Sequence, residues 1–288
     1  MAAEQSADAL NRHYGRPDLL EAILAAARAA GADPASLTPD DLAPVDQFHT
    51  RGKPATVELA RLAGLSAGMQ VLDVGGGLGG PARTLAAEFG CSVTVLDLTE
   101  AYVLTGEQLT ARTGLSELVR HRHGSALALP FPDGSFDAAW TQHSSMNIAD
   151  KARMYAEIRR VLRPGGSLAL HEVLAGAGGE PHCPLPWAAD PSLSFLRPPD
   201  EIRSLIAAAG FREVVWRDVT APSHEFFARA NARLAAGAPP PPLGIHLLMG
   251  EQTPLRIANI TRSLAEDRLS VVEAVVQVGQ VDQVVQKE

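Results

Sequence analysis

Asp73 closes an apolar run, Val71-Leu72-Asp73-Val74, and Gly75, Gly77 and Gly79 follow before the pattern turns helical. Glycines after such a strand let the backbone approach a ligand at the carboxyl edge of a sheet, because no Cβ stands in the way. The next apolar run, Val95-Leu96-Asp97-Leu98, ends in a second acid. A carboxylate there can accept hydrogen bonds from both hydroxyls of a ribose. The chemistry is therefore that of a nucleoside-bearing cofactor. Gly80, three residues after Gly77, also satisfies the dinucleotide-binding pattern, so the glycines alone leave the cofactor class open.

Two side chains are candidates for moving a proton. His143 stands just beyond the fourth expected strand and Glu172 towards the end of the fifth, and both strand ends open onto one crevice. His143 reads equally as a crevice-lining or cofactor-contacting histidine. Gln142 precedes it on the cofactor side and Asn147 follows on the substrate side. The segment Asp46-Gln47-Phe48-His49-Thr50-Arg51-Gly52 brings Phe48 and His49 into a stretch rich in Pro and Asp, and loops on a rigid core often carry binding groups. His49 equally suits a helix cap or a bond to a backbone carbonyl. His171, His182, His224 and His246 have no tight ligand spacing, so no metal is expected. His121 and His123 share one face of a strand and read as structural or surface groups.

The elements that must position these groups alternate as in a parallel sheet covered by helices. The expected strands are Gln70 to Val74, Ser92 to Leu96, Leu118 to His123, Phe136 to Thr141, Ser167 to Val173, Phe211 to Val219 and Leu269 to Val278. Helices are expected over Asp18 to Ala30, about Pro54 to Leu62, Pro81 to Phe89, Glu100 to Thr113, Lys151 to Leu162 and Pro199 to Ala209. Ala32 to Lys53 reads as a loop, and Arg163-Pro164-Gly165-Gly166 as a turn that reverses the chain. Leu174 to Pro198 and Thr220 to Asp267 interrupt the alternation, the second with helices either side of Pro239-Pro240-Pro241-Pro242. Such excursions, with roughly the first 60 residues, suit a substrate cap containing Trp187, Phe195, Phe226 and Phe227. The organisation expected is a helical cap over 1–66 and a core over 67–288, with cap insertions at about 174–198 and 220–267.

In 288 residues, 46% hydrophobic, there is material for a sizeable core. With 25 basic against 33 acidic residues, a net charge of −8 supplies no general field for a polyanion, so nucleic acid is a poor substrate. Only Cys91 and Cys183 are present, which suits free thiols in a reducing compartment. The acidic start of the chain and the lack of a run of about 18 apolar residues point to a cytoplasmic protein, monomer or homodimer, without a membrane span.

Later segments separate the cofactor classes. Gly124-Ser125-Ala126-Leu127-Ala128-Leu129-Pro130-Phe131, Phe136-Asp137-Ala138-Ala139-Trp140 and Arg159-Arg160-Val161-Leu162-Arg163-Pro164-Gly165-Gly166 follow the glycine loop in order. Together they resemble the successive motifs of small-molecule, S-adenosylmethionine-dependent methyltransferases with a Rossmann-like fold, over roughly Gly68 to Val173. The resemblance implies an α/β fold with a mostly parallel seven-stranded sheet and helices on both faces. It implies Asp73 and the glycines by the methionine part, Asp97 on the ribose, Leu98 beside the adenine, and Ser125 and Ala126 along the adenine edge. Relatives commonly carry Asp where Ser125 stands, and a Ser hydroxyl accepts a hydrogen bond without charge. Those that methylate hydroxyls often have an acid at Glu172 but tend to carry His where Asn147 stands.

The segment around Phe48 and His49 resembles a covering loop of sarcosine and dimethylglycine methyltransferases. The function implied is methyl transfer to an N, O or C atom of a small metabolite. Aromatic cap residues suit an apolar acceptor, or a cationic amine held over their rings. Gln142-His143-Ser144 is not the Asn/Asp-Pro-Pro-aromatic motif of enzymes acting on a flipped base. The competing reading is a protein that keeps the cofactor but has lost transfer, serving as a cyclase or ligand-binding module; a nicotinamide-dependent oxidoreductase is a third.

Overall fold

The strands are β1 (Gln70–Val74), β2 (Ser92–Asp97), β3 (Val119–His123), β4 (Phe136–Gln142), β5 (Leu162–Ala175), β6 (Phe211–Asp218) and β7 (Leu269–Val278). They form one sheet in the order β3-β2-β1-β4-β5-β7-β6 in a computed structural model that describes residues 15, 18–237 and 239–279. Residues 1–14 of the expected cap and the chain end, 280–288, lie outside the described residues. All neighbours pair in parallel except β7, which runs antiparallel to both β5 and β6. The expected mostly parallel seven-stranded sheet is therefore observed. Strand order reverses between β1 and β4, and the crevice beyond their carboxyl ends is where open α/β sheets bind ligands.

The helices are α1 (Leu19–Ala29), α2 (Pro39–Asp46), α3 (Lys53–Leu62), α4 (Gly80–Phe89), α5 (Glu100–Arg112), α6 (Lys151–Val161), α7 (Pro199–Ala208), α8 (Thr220–Ala235), α9 (His246–Met249) and α10 (Thr253–Ala265). Side chains alternate across the sheet, so each strand supplies two cores. Val71, Val93, Val95, Trp140 and Ala169 pack with Leu59 of α3 and Leu85 of α4. Leu72, Val74, Ala139 and Leu170 pack on the other face with Ile158 of α6 and Ile202 of α7. Burying a side chain of this size contributes about 1.5–3 kcal/mol, which is why the interior strands read as continuous apolar runs. The outer strands carry charge: Arg120 and Arg122 on β3, and Arg212, Glu213 and Arg217 on β6. Charged outer strands discourage pairing with another sheet.

Two expectations are corrected. Ala32 to Lys53 is not all loop, because α2 forms within it on a capping box: Thr38 Oγ1 accepts from Asp41 N at 3.1 Å while Asp41 Oδ2 accepts from Thr38 N at 2.8 Å. Together with Pro39 in the first turn, this closure is a helix-start signal legible at Thr38-Pro39-Asp40-Asp41. The Arg163 to Gly166 turn does not precede its strand but lies inside β5. Phe136 pairs with Leu162 and Ala138 with Ser167, so the segment bulges out of the ladder.

The N-terminal helices meet the core at its glycine-loop corner, where Leu19, Ile23, Leu42 and Val45 pack with Leu78, Tyr102 and Leu109. Across the crevice, α8 and α10 pack with Leu185 and Trp187 of the first excursion against Met146 and Val173. No helix among the described residues is long and apolar enough to cross a membrane.

Candidate active site

The glycine loop leaves β1 and is tied at once to β2, with Gly75 N donating to Leu96 O at 2.7 Å. Gly75 has φ +73°, and a Cβ there would lie 2.5 Å from Ser144 Cβ, so the loop and the end of β4 pass at glycine distance. Gly77 N donates to Asp97 Oδ2 at 2.9 Å and Thr99 N to Asp97 Oδ1 at 2.8 Å. Each oxygen of this carboxylate thus keeps a further acceptor position, the capacity that two ribose hydroxyls require. Burial raises its pKa.

Asp73 is buried with Oδ2 lacking a hydrogen-bond partner. Desolvation, and then the neighbouring Asp97 charge, push it up to about 8. An orphaned acid beside a glycine loop fits a ligand with a cationic group, which would hold the carboxylate ionised. Asp73, Asp97 and the glycines therefore suit S-adenosylmethionine, whose methionine part carries an ammonium and whose nucleoside part carries the two hydroxyls.

Gly80, the residue that left a dinucleotide site open, has another purpose. A Cβ on it would stand 2.3 Å from Asp46 O, because the end of α2 lies against the first turn of α4. At that contact Arg83 and Asp46 form a fully buried ion pair of 2.7 Å.

Of the residues expected along the adenine, Leu98 is half-buried and borders the apolar cluster that contains Trp187. Ser125 Oγ accepts from Leu127 N at 3.2 Å and so shapes its own turn, while Ala126 packs against the core. The β3 histidines are structural: His121 Nε2 lies 2.9 Å from Thr110 Oγ1, and His123 Nε2 lies 3.0 Å from Leu98 O.

At the ends of β4 and β5 the fold gathers three histidines. His143 and His171 have ring centroids 4.8 Å apart, and His49 lies 6.1 and 5.8 Å from them. Thr50 Oγ1 sits 2.9 Å from His171 Nε2 and 3.4 Å from His143 Nε2. Gln142 Nε2 reaches His49 Nδ1 at 3.1 Å and His171 Nδ1 at 3.2 Å, while its Oε1 accepts from Trp140 and Thr56. Gln142 is thus held wholly within the protein.

Removal from water lowers the pKa of all three imidazoles, His49 to about 4 and the other two well below the ordinary value, so all are neutral at pH 7. His143 also carries φ +52°, a strained value for a histidine. The segment bearing His49 and Thr50 is pinned by Arg51, which bonds the buried Glu273 at 2.8 Å and also pairs with Glu58.

Glu172 lies in a different group. It follows His171 on β5, so its side chain leaves by the opposite face. There Oε2 accepts from Ser145 N at 3.2 Å, and Oε1 is buried without a hydrogen-bond partner. Burial raises the Glu172 pKa. Lys151, whose pKa burial lowers to about 8, donates to Ser145 O at 2.6 Å and Ile148 O at 2.9 Å. No hydrogen bond joins His143 to Glu172 among the described residues.

Asn147 and Trp187 organise the first excursion. Asn147 Nδ2 donates to Trp187 O at 3.0 Å and Leu193 O at 2.8 Å, fastening the first excursion to the end of β4. Trp187 is 1% exposed and its indole N–H bonds Ser194 Oγ at 3.0 Å, so the ring belongs to a buried apolar cluster. Phe48, half-buried, packs on the same apolar cluster as Leu98. His171, Thr50 and Gln47 were not among the sequence candidates. His171 has no ligand spacing in the sequence, and its neighbours come from residues far away in the chain. Among the described residues no group of three or more His, Cys, Asp or Glu side chains is arranged to hold a metal ion.

Residues 72–170 match the family model described as "Methyltransferase domain". A glycine/sarcosine/dimethylglycine N-methyltransferase of Actinopolyspora halophila is 29% identical over 177 residues, which cover 62% of this chain and 31% of that protein. A sterol 24-C-methyltransferase of Gibberella zeae is 40% identical over 116 residues, covering 40% of this chain and 30% of that protein. The chain thus spans under a third of the length of these relatives. Among solved structures, a cyclase, SpnF, aligns with a TM-score of 0.66 at 25% identity, over 91% of this chain and 94% of that one.

Proposed function

Since residues 72–170 are a methyltransferase domain in a Rossmann-like fold, we propose that the whole chain transfers a methyl group from S-adenosylmethionine to a small acceptor. The cofactor supplies a methyl group on a sulfonium with a good leaving group, so what remains for the protein is alignment and exclusion of water. The acceptor lies beyond the ends of β4 and β5, under a cap drawn from residues 1–66 and the insertions 174–198 and 220–267. Asp73 and Asp97 hold the two polar ends of the cofactor, with Leu98, Ser125 and Ala126 along the adenine. Phe48, His49, Asn147 and Trp187 shape the acceptor side, some by contact and some by fastening the cap. His143 faces the acceptor, and Glu172 takes a proton when one must leave, since Oε1 lacks a protein hydrogen-bond partner and burial raises its pKa, which makes the ionised carboxylate a stronger base. Two free thiols suit a cytoplasmic setting.

The observation that carries this reading is the buried, orphaned Asp73 beside a glycine loop, within a chain segment of that family. Incubating the protein with methyl-labelled S-adenosylmethionine and a panel of amines, hydroxylated aromatics and isoprenoids tests it. Label appearing in one acceptor, with matching S-adenosylhomocysteine, is the expected result. Turnover of a substrate without label transfer supports the second reading, a cofactor-binding cyclase, which the likeness to SpnF over nearly the whole chain favours.

Binding has its own signature. Asp73, pushed up to about 8, is mostly protonated at pH 7, and an ammonium beside it would ionise it. Cofactor binding should therefore release about one proton at pH 7 and tighten as pH rises towards 8. The sign follows from the raised pKa, since the free site binds the proton that the bound site gives up. Calorimetry in buffers of different ionisation enthalpy measures this, and a buffer-independent heat would contradict it.

A further inference from the structure

We propose that Trp140, Gln142, His171 and Thr50 form a directed hydrogen-bond chain that holds His143 in its Nδ1–H tautomer, so that His143 meets the acceptor as a hydrogen-bond donor. As far as His171 the directions follow from donors that cannot reverse, and at Thr50 from the lone pairs already in use. Indole N–H only donates. Trp140 Nε1 lies 3.1 Å from Gln142 Oε1, which fixes that atom as the amide oxygen and Gln142 Nε2 as a donor. Gln142 Nε2 then donates to His171 Nδ1 at 3.2 Å, and the neutral His171 carries its proton on Nε2.

His171 Nε2–H donates to Thr50 Oγ1 at 2.9 Å. Thr50 Oγ1 also accepts from Ser223 Oγ at 3.3 Å, which uses both of its lone pairs. Its single hydrogen is left for His143 Nε2, 3.4 Å away. A neutral imidazole that accepts at Nε2 carries its proton on Nδ1. Trp140, Thr50, His171 and Ser223 are each at most 1% exposed, so water does not compete for these positions.

His143 is half-buried, and Nδ1 makes no hydrogen bond among the described residues. The acceptor class that matches it presents an oxygen lone pair there, as a carboxylate, carbonyl or phenolate does. His171 and Thr50 are positioning residues, acting through His143. Ser223 belongs to α8, so the chain is complete only with this cap helix docked.

The consequence for the acceptor rests on the proposed reading that His143 faces it, whereas the tautomer does not. Nitrogen-15 NMR of the histidine-labelled protein without ligands reads the tautomer directly, with the His143 signals assigned by their loss in His143→Asn. The expected spectrum has Nδ1 protonated and Nε2 unprotonated at pH 7, unchanged in Thr50→Ser and lost to a tautomer mixture in Thr50→Val. A protonated Nε2 on His143 in the unsubstituted protein overturns the proposal, whatever the variants do. An unaltered tautomer in a folded Thr50→Val protein overturns it too. Failure of label transfer would sink the functional reading and leave this spectrum as it is.

Discussion

Arg83→Leu is expected to cost about 3–5 kcal/mol of folding stability, because it strands the buried Asp46 carboxylate. Arg83 is fully buried and, besides the ion pair, donates to Leu78 O at 2.7 Å and Thr110 Oγ1 at 2.8 Å. One guanidinium thus joins the end of α2, the glycine loop, α4 and α5. Burial, the largest influence on Asp46, raises its pKa even with Arg83 beside it. Without Arg83 that rise grows, and Asp46 folds at low cost only when protonated. A folded pKa above the unfolded one gives stability present below the unfolded pKa and lost as pH rises through the folded pKa.

The deficit should therefore widen from pH 5 to pH 8, as measured by urea unfolding with a common slope. Arg83→Leu with Asp46→Leu should recover much of the loss, since two apolar groups leave no charge behind. A single-variant deficit under about 1 kcal/mol would mean that water reaches the pair.

Asp97→Ala is expected to weaken S-adenosylmethionine binding by at least about 100-fold. Two hydrogen bonds from ribose hydroxyls to a carboxylate are worth about 1.5–3 kcal/mol each, and about 1.4 kcal/mol is tenfold in affinity. The substitution also frees Gly77 N and Thr99 N, which the carboxylate now holds at 2.9 and 2.8 Å. Loop order and ribose recognition thus fail together. Isothermal titration of the variant, with its melting temperature as a check on folding, measures the effect. Affinity within threefold of the unsubstituted protein would remove Asp97 from the ribose.

Much of this protein was legible in its sequence because the relevant physics is local. Strand β7 reads correctly from Leu269 to Val278 because β-branched residues without interruption suit a strand covered on both faces. Strand β1, the glycine loop and Asp97 are likewise set by chain-local needs: an apolar run, absent Cβ atoms and an acid at a strand end. Helix α2 was legible too, in its capping box, but its Pro and Asp content reads as loop. The Arg163 to Gly166 bulge needed a neighbour, since only pairing with β4 shows a turn taken up within a strand.

The sequence alone established the α/β class, the order of the motifs and the acids of the cofactor loop. Tertiary structure decided which polar groups share a space. His143 and Glu172 looked like one pair, yet alternation along β5 sends His171 and Glu172 to opposite faces, and His143 joins His171, His49 and Thr50. Gly80 looked like a phosphate-loop glycine, yet its missing Cβ makes room for Asp46 O. Nothing in the expected helix from Pro81 to Phe89 marks Arg83, yet it is sealed against Asp46. In each case the deciding partner is remote in the chain, and a linear pattern carries the period of an element but not the identity of what packs against it.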